Sequence, residues 1–294
     1  MKTLNVIGCG SVGKTLARLW TEHRVFQVQS ILNRSLESGR RAADFVGSGR
    51  AVPSYDELRR ADLVMISASD EAIETCCRQL GDTGILRDGV VVFHCSGSLP
   101  STLLEPAKAR GALIASVHPV KSFADPARAV ETFAGTFCAI EGDPPACDVL
   151  GDALGRCGAI TFPVDPQFKT VYHAGTVFVC NYLCALLEVG LRCFEQAGIP
   201  RETALEIIRP IVHGTMSNVF ELGPVQALTG PIARGESSVV ERQCEALGEW
   251  DARVERIYKA LGQVAVELSA AQGNAGADAL DAIDELLNQE EGRS

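Results

Sequence analysis

The segment Gly8-Cys9-Gly10-Ser11-Val12-Gly13-Lys14-Thr15 directly follows the apolar run Leu4 to Ile7, close to the start of the chain. Glycines spaced G-x-G-x-x-G between a strand and an amphipathic stretch specify a tight strand-to-helix turn, with backbone N–H groups gathered at the helix start. Such a turn receives phosphate, because free N–H groups and the positive end of the helix dipole both favour an anion. The same residues also satisfy G-x-x-x-x-G-K-T, the pattern of a nucleoside-triphosphate loop. Residues elsewhere have to decide between the two.

A triphosphate loop needs an acidic residue at the end of a second apolar strand, where it holds magnesium. The candidate strands end as Val64-Met65-Ile66-Ser67 and Val91-Val92-Phe93-His94, without Asp in that place. Asp70 follows Ser69 and reads as a cap of the next helix. A dinucleotide site instead needs a ribose-reading residue about twenty residues past the last glycine, at the end of the second strand. Asn33 stands there, followed by Arg34 and Ser35. An acid would accept from the ribose hydroxyl of NAD and repel a 2′-phosphate; Asn and Ser donate, and Arg forms charge-assisted bonds. The expected cofactor is NADP(H). Gly8 makes the turn, Gly10 admits the pyrophosphate, Gly13 packs helix on strand, and Cys9, Ser11 and Val12 complete the loop.

At 294 residues the chain exceeds what one hydrophobic core usually serves, and its pattern changes after Pro163 and Pro166. Before that point, β-rich runs at Leu4 to Ile7, Val28 to Leu32, Leu63 to Ser67, Val90 to Phe93, Leu113 to Val117, Thr136 to Ile140 and Ala159 to Phe162 alternate with helical stretches. The helical stretches are Val12 to Glu22, Leu36 to Phe45 and Glu71 to Leu80. This alternation predicts a parallel sheet covered by helices. Beyond it the pattern predicts one long helix from Gln167 to Ala197, stopped by Gly198 and Pro200, then helices at Arg201 to Val212 and Val239 to Leu268. A breaker-rich turn, Thr229 to Gly235, separates the last two, and a frayed tail is expected from Asn288 to Ser294. The expected domains are a dinucleotide-binding domain over 1–164 and a helical substrate and dimerisation domain over 165–294.

There are 27 Lys plus Arg against 37 Asp plus Glu, and the net charge of -10 would repel a polyanion, so nucleic acid is not expected as a partner. No run of about 18 apolar residues goes uninterrupted by charge, proline or glycine, and the start lacks a basic region or cleavage site. A cytoplasmic protein without a membrane partner is expected. The 11 Cys show no paired C-x-x-C spacing, which points to reduced, buried side chains and no metal site. Cys180 and Cys184 share a predicted helix face and are expected in the core.

Ligands of such sheets bind beyond the carboxyl ends of the strands. Ser67-Ala68-Ser69-Asp70, His94-Cys95-Ser96-Gly97 and Val117-His118-Pro119-Val120-Lys121 occupy those places. Ser67, Ala68, Ser69, His94 and Ser96 are candidates for the cofactor, and His118 for catalysis. In the helical half, Lys169 and His173 lie on one helix face, with Asn181 about two turns further on. Hydride transfer to a carbonyl or imine needs a donor that neutralises charge on the substrate heteroatom. Lys169, His173, Asn181 and His118 are the candidates. Arg234 could hold a substrate carboxylate in the cleft or across a dimer interface.

The glycine fingerprint, Asn33-Arg34-Ser35, His94-Cys95-Ser96-Gly97, His118-Pro119, Lys169 to Ala174 with Asn181, and Thr229 to Gly235 together resemble a known group. These are Rossmann-like bacterial proteins with a carboxy-terminal helical domain of unknown function, often labelled deazaflavin-dependent NADP oxidoreductases. The group is similar to pyrroline-carboxylate reductases and to 6-phosphogluconate and β-hydroxyacid dehydrogenases. The resemblance covers nearly the whole chain and implies an α/β fold: an amino-terminal Rossmann-type parallel sheet domain followed by an all-α 6-phosphogluconate-dehydrogenase-like domain. It also implies a homodimer through the helical domain and an active cleft between the domains. Carried over by position, Lys169 and Asn181 match the helix-borne Lys and Asn of the β-hydroxyacid dehydrogenases, at wider spacing. The expected function is an NADP-dependent oxidoreductase acting on a small carbonyl, imine or hydroxy compound. The alternative is a protein that senses NADP without turnover.

Overall fold

In the sheet, consecutive apolar side chains alternate between two buried layers. The computed structural model describes residues 1–289, so all but the first two residues of the expected tail lie outside the described residues. The first elements are β1 (Lys2–Ile7), α1 (Ser11–Glu22), β2 (Phe26–Leu32), α2 (Leu36–Val46), β3 (Arg50–Val52), β4 (Leu63–Ile66), α3 (Asp70–Asp82) and β5 (Val91–His94). They are followed by α4 (Glu105–Lys108), β6 (Leu113–Pro119), α5 (Pro126–Glu131), β7 (Phe137–Gly142), α6 (Pro144–Gly155) and β8 (Ile160–Pro163). Leu63 and Met65 join Leu4, Val6, Trp20 and Phe93 in one buried layer; Val64 and Ile66 join Ile7, Ile73, Leu80 and Val92 in the other. Burial on both faces explains why these strands read as continuous apolar runs. Trp20 ties α1 to α6 by donating from Nε1 to the Ala153 carbonyl at 3.1 Å.

The strand order is β3-β2-β1-β4-β5-β6-β7-β8. The order runs outward in both directions from the β1/β4 pair, beyond whose carboxyl ends ligands bind in such sheets. The sheet is the expected parallel one except at one pairing, where β7 runs antiparallel to β6. The connection between them carries the short 6-residue α5, and β7 enters the sheet beside β6 in the opposite direction. β3 went unforeseen because its 3 residues are too few to show a pattern.

The chain divides into two compact units, Met1–Tyr182 and the part from Leu183 onward. The long helix expected over 167–197 is built as α7 (Lys169–Val177), a π turn (Phe178–Tyr182) and α8 (Leu183–Gln196), and the division falls at the end of that turn. The second unit continues with α9 (Arg201–Ala227), α10 (Ser237–Trp250), α11 (Ala252–Gln272) and α12 (Ala277–Asn288). α9 runs well past the expected end at Val212, tolerating Pro210 and kinking only at Gly223, where φ is 79°. The single helix expected over Val239 to Leu268 is two. Asp251 is extended there, with φ at -152°, and caps α11 by accepting from the Arg253 N–H at 2.9 Å. Val240, Cys244, Ile283 and Leu287 pack α10 and α12 together.

Within the stretch Pro166–Gln196, an 18-residue window has a mean hydropathy of 1.6, so the stretch is long and apolar enough to cross a membrane by length and composition, contrary to expectation. Its glycines interrupt the count of apolar residues but leave the helix intact. Only 6% of that window is buried, so its apolar side chains lie uncovered. Phe178, Val179, Tyr182 and Leu186 are exposed. Cys180 and Cys184, expected in the core, are exposed with them.

Candidate functional site

The turn after β1 needs its first glycine for two reasons. Gly8 has φ of 76°, and a Cβ there would lie 2.7 Å from the Ala68 backbone. Gly13 has no room either, since a Cβ would run into the Ser67 hydroxyl. Gly10 differs: a Cβ would meet only the Gly8 carbonyl, at 3.9 Å. The protein's own packing does not require glycine at that position, but close approach of a pyrophosphate would. Gly10 and Ser11 are exposed, α1 carries no side-chain cap, and its first turn holds no acid. The chemistry of this cradle fits a phosphate anion.

The triphosphate reading fails on Thr15. Its side chain is fully buried and its hydroxyl donates to the Ser11 carbonyl at 2.9 Å, out of reach of any metal. Asn33 accepts the Cys9 N–H on Oδ1 at 2.7 Å, which fixes the loop and leaves the amide NH2 to donate. Cys9 thus serves the loop through its backbone while its thiol is buried and pushed up to about 12. Arg34 is exposed beside it. Ser35 caps α2, accepting the Ser38 N–H at 3.2 Å.

From this loop a continuous wall runs along the carboxyl ends of the strands. Ser67, just past β4, donates to the Gly8 carbonyl at 3.0 Å, and Ala68 sits against Gly8. Ser69 is exposed at the start of α3. Asp70 does not cap that helix. Its Oδ2 accepts from the hydroxyls of Ser96 at 2.8 Å and Ser98 at 2.9 Å, just past β5.

Two cofactor expectations are corrected here. His94 is fully buried: Nδ1 accepts from the Ser96 N–H at 3.1 Å and Nε2 donates to the Pro100 carbonyl at 3.1 Å. Burial, helped by Lys169, pushes it down to about 4, so it is a neutral staple of the loop. Ser96 donates to Asp70 and accepts the N–H groups of Ser98 and Leu99 at 3.2 and 3.1 Å. Its hydroxyl is fully used by its own loop.

Lys169 is also corrected. The side chain is 1% exposed, and Nζ donates to the Ser96 carbonyl at 3.1 Å, to the Ser116 hydroxyl and to Glu141 at 3.4 Å. Burial lowers its pKa and Glu141 opposes that shift. With its donors so engaged, it cannot serve a substrate. Asn181 lies exposed on the π turn, and among the described residues no hydrogen bond links it to this cluster.

His118 and His173 do come together, with ring centroids 5.5 Å apart. Gly97 lies against both. A Cβ on it would sit 2.8 Å from His118 Nε2 and collide with the His173 ring. Tyr172 completes the group, its hydroxyl 2.8 Å from His118 Nδ1. Burial, then His173 and Lys169, pushes His118 down to about 4, and burial pushes Tyr172 up to about 12. Gly97 and Tyr172 are neighbours of residues singled out in the sequence; Glu141, an isolated acid in a strand, carries no sequence signal. In the second unit, Arg234 aims its fork at Glu236, at 2.8 and 2.9 Å.

Residues 2–119 match the family profile of a Rossmann-like domain, and residues 136–265 match that of a domain of unknown function, DUF2520. The chain joins a Rossmann-like domain to a DUF2520 domain. The cluster draws on both: Ser96, Gly97, Ser116 and His118 fall in the Rossmann-like span, and Glu141, Lys169, Tyr172 and His173 in the DUF2520 span. Among solved structures, a Bacteroides fragilis protein provisionally named an NADP oxidoreductase superposes with a TM-score of 0.71 at 20% identity, covering 92% of this chain and 97% of that one. A Thermotoga maritima protein matches with 0.71 at 25% identity, covering 92% and 99%. Plasmodium falciparum pyrroline carboxylate reductase, solved with NADP bound, matches with 0.56 at 12% identity, covering 98% of each chain. No curated protein matches the chain significantly.

Proposed function

We propose that this chain is an NADP(H)-dependent oxidoreductase that moves hydride between the cofactor and a small carbonyl, imine or hydroxy compound. The observation that carries this is the unbroken wall from Gly8 through Ala68, Asp70 and Ser96 to Gly97, which puts a phosphate cradle and a histidine pair on one edge of one sheet. The names of the Bacteroides fragilis and Plasmodium falciparum neighbours support the same cofactor. Gly8 to Gly13 would hold the pyrophosphate, and Asn33, Arg34 and Ser35 the 2′-phosphate. When bound, the nicotinamide supplies or accepts the hydride.

The protein's own groups manage the proton. Tyr172, kept as a phenol by burial, shares a hydrogen bond with His118 Nδ1; in the tautomer this chemistry uses, the phenol donates and the ring proton sits on Nε2, the nitrogen that faces Gly97. A neutral imidazole in that position donates to the substrate oxygen or nitrogen as charge develops there. His173 closes the other side. His118→Ala and His173→Ala are each expected to lower kcat by about 10²–10⁴-fold while NADPH binding stays unchanged. The test is NADPH consumption across a panel of small carbonyls and imines. NADPH binding with no consumption by any member would support a sensor instead.

The reading includes a homodimer through the helical region. Phe178, Val179 and Tyr182 are uncovered near the end of the first unit and Leu186 near the start of the second, and exposed large apolar side chains in one sequence stretch suit an interface. Lys169, at the head of the same helical stretch, is held in the sheet unit, which favours a protein partner over lipid.

A further inference from the structure

Glu141 and Lys169 form an ion pair for which the proposed chemistry has no use. Their side chains are 5% and 1% exposed. Replacing such a pair by apolar residues of similar volume is often neutral or stabilising, so stability alone does not account for it. Its contacts suggest another role. Glu141 faces Ser116 across the β6–β7 pairing and accepts the backbone N–H and the hydroxyl of Ser101, each at 2.7 Å. Lys169 donates to the Ser96 carbonyl and the Ser116 hydroxyl. Ser96 immediately precedes Gly97. Ser116 lies two residues before His118 and so on the same face of β6, and Tyr172 and His173 follow Lys169 by one helical turn. The three segments that carry Gly97, His118 and the Tyr172–His173 pair all meet on one ammonium group. An apolar side chain could fill the space, but it would not fix their register.

We propose that Glu141 and Lys169 are positioning residues, a buried clamp that pins the head of α7 to the ends of β5 and β6 and sets the approach of His118 to His173 over Gly97. The proposal rests on this geometry and stands apart from the oxidoreductase reading, so its test uses no substrate. The ionisable groups facing His118 are Tyr172, His173 and Lys169 from α7 and Asp70 from α3. An opened clamp would separate the two imidazoles and let water reach His118.

The experiment is an NMR titration of the 5 histidines in the wild type, Lys169→Met, Glu141→Gln and the double variant Glu141→Gln/Lys169→Met. Resonances are assigned with His118→Gln and His173→Gln. The expected result in every clamp variant is loss of the His118–His173 ring cross-peak and a rise of the His118 midpoint by about one pH unit or more, with His23 and His213 unmoved. Loss of the Lys169 charge alone would raise His94 and His118 together and keep the cross-peak, and that outcome overturns the proposal. An unchanged cross-peak and midpoint in folded variants overturns it equally. Where a single variant leaves a bare charge and fails to fold, the double variant is read. Should that fail too, Ser116→Ala removes one arm of the clamp without exposing a charge, and the cross-peak decides.

Discussion

His94 and His118 are both held neutral, but His94 is sealed between Ser96 and Pro100 while His118 faces the wall of the site. The unfolded His94 takes up a proton below about pH 6.5, the folded one only below about 4. Between those values the unfolded state binds more protons, so the stability that His94 contributes is complete above 6.5 and falls as pH drops towards 4. The loss is on the order of 3 kcal/mol. Urea denaturation across that range should show the decline, and His94→Gln, which keeps a polar side chain without the titration, should make it shallower, leaving the share that His118 contributes over the same range. A wild-type curve already flat between 6.5 and 4 would refute the buried neutral imidazole. Residue identity alone did not separate the two histidines, because both stand at strand ends beside a loop. What separates them is the Ser96 turn, which folds back over His94 and leaves His118 at the edge. The place of Lys169 is hidden from the sequence for a similar reason. On one predicted helix face with His173 it reads as a candidate donor, and its burial depends on an acid 28 positions away in a strand.

At the scale of elements, strands buried on both faces announced themselves as apolar runs, and the glycine loop located both ends of the first β-α-β step. Elements set by a single residue were harder to see. Asp251 divides α10 from α11 by caps rather than by a glycine or proline, and β3 is too short for any period. Removing the Asp251 side chain should cost about 0.5–2 kcal/mol, and chemical denaturation of Asp251→Ala would measure it; no change would mean the junction is held by packing alone. Lys169→Met should cost about 3–5 kcal/mol, because it leaves Glu141 charged and buried, whereas the double variant with Glu141→Gln should recover most of that loss. Additive losses in the two single variants would contradict a coupled pair.

For the whole molecule, the sequence singled out the glycine loop and both His118 and His173 but not Glu141, since long-range pairing of one acid and one lysine leaves no local pattern. The uncovered apolar side chains predict self-association. Sedimentation should find a dimer, and Phe178→Asp with Leu186→Asp should shift it to monomer; a wild-type monomer at all concentrations would remove the dimer from the account. We propose, more narrowly, that the cradle at Gly8 to Gly13, together with Arg34, selects NADP(H). Calorimetric titration of NADPH, NADH and magnesium-ATP into the wild type and Arg34→Ala tests it most directly. NADPH is expected to bind tightest, and Arg34→Ala to weaken it by roughly 1.5–3 kcal/mol while barely changing NADH. Equal losses for both dinucleotides, or tighter binding of magnesium-ATP, would contradict it.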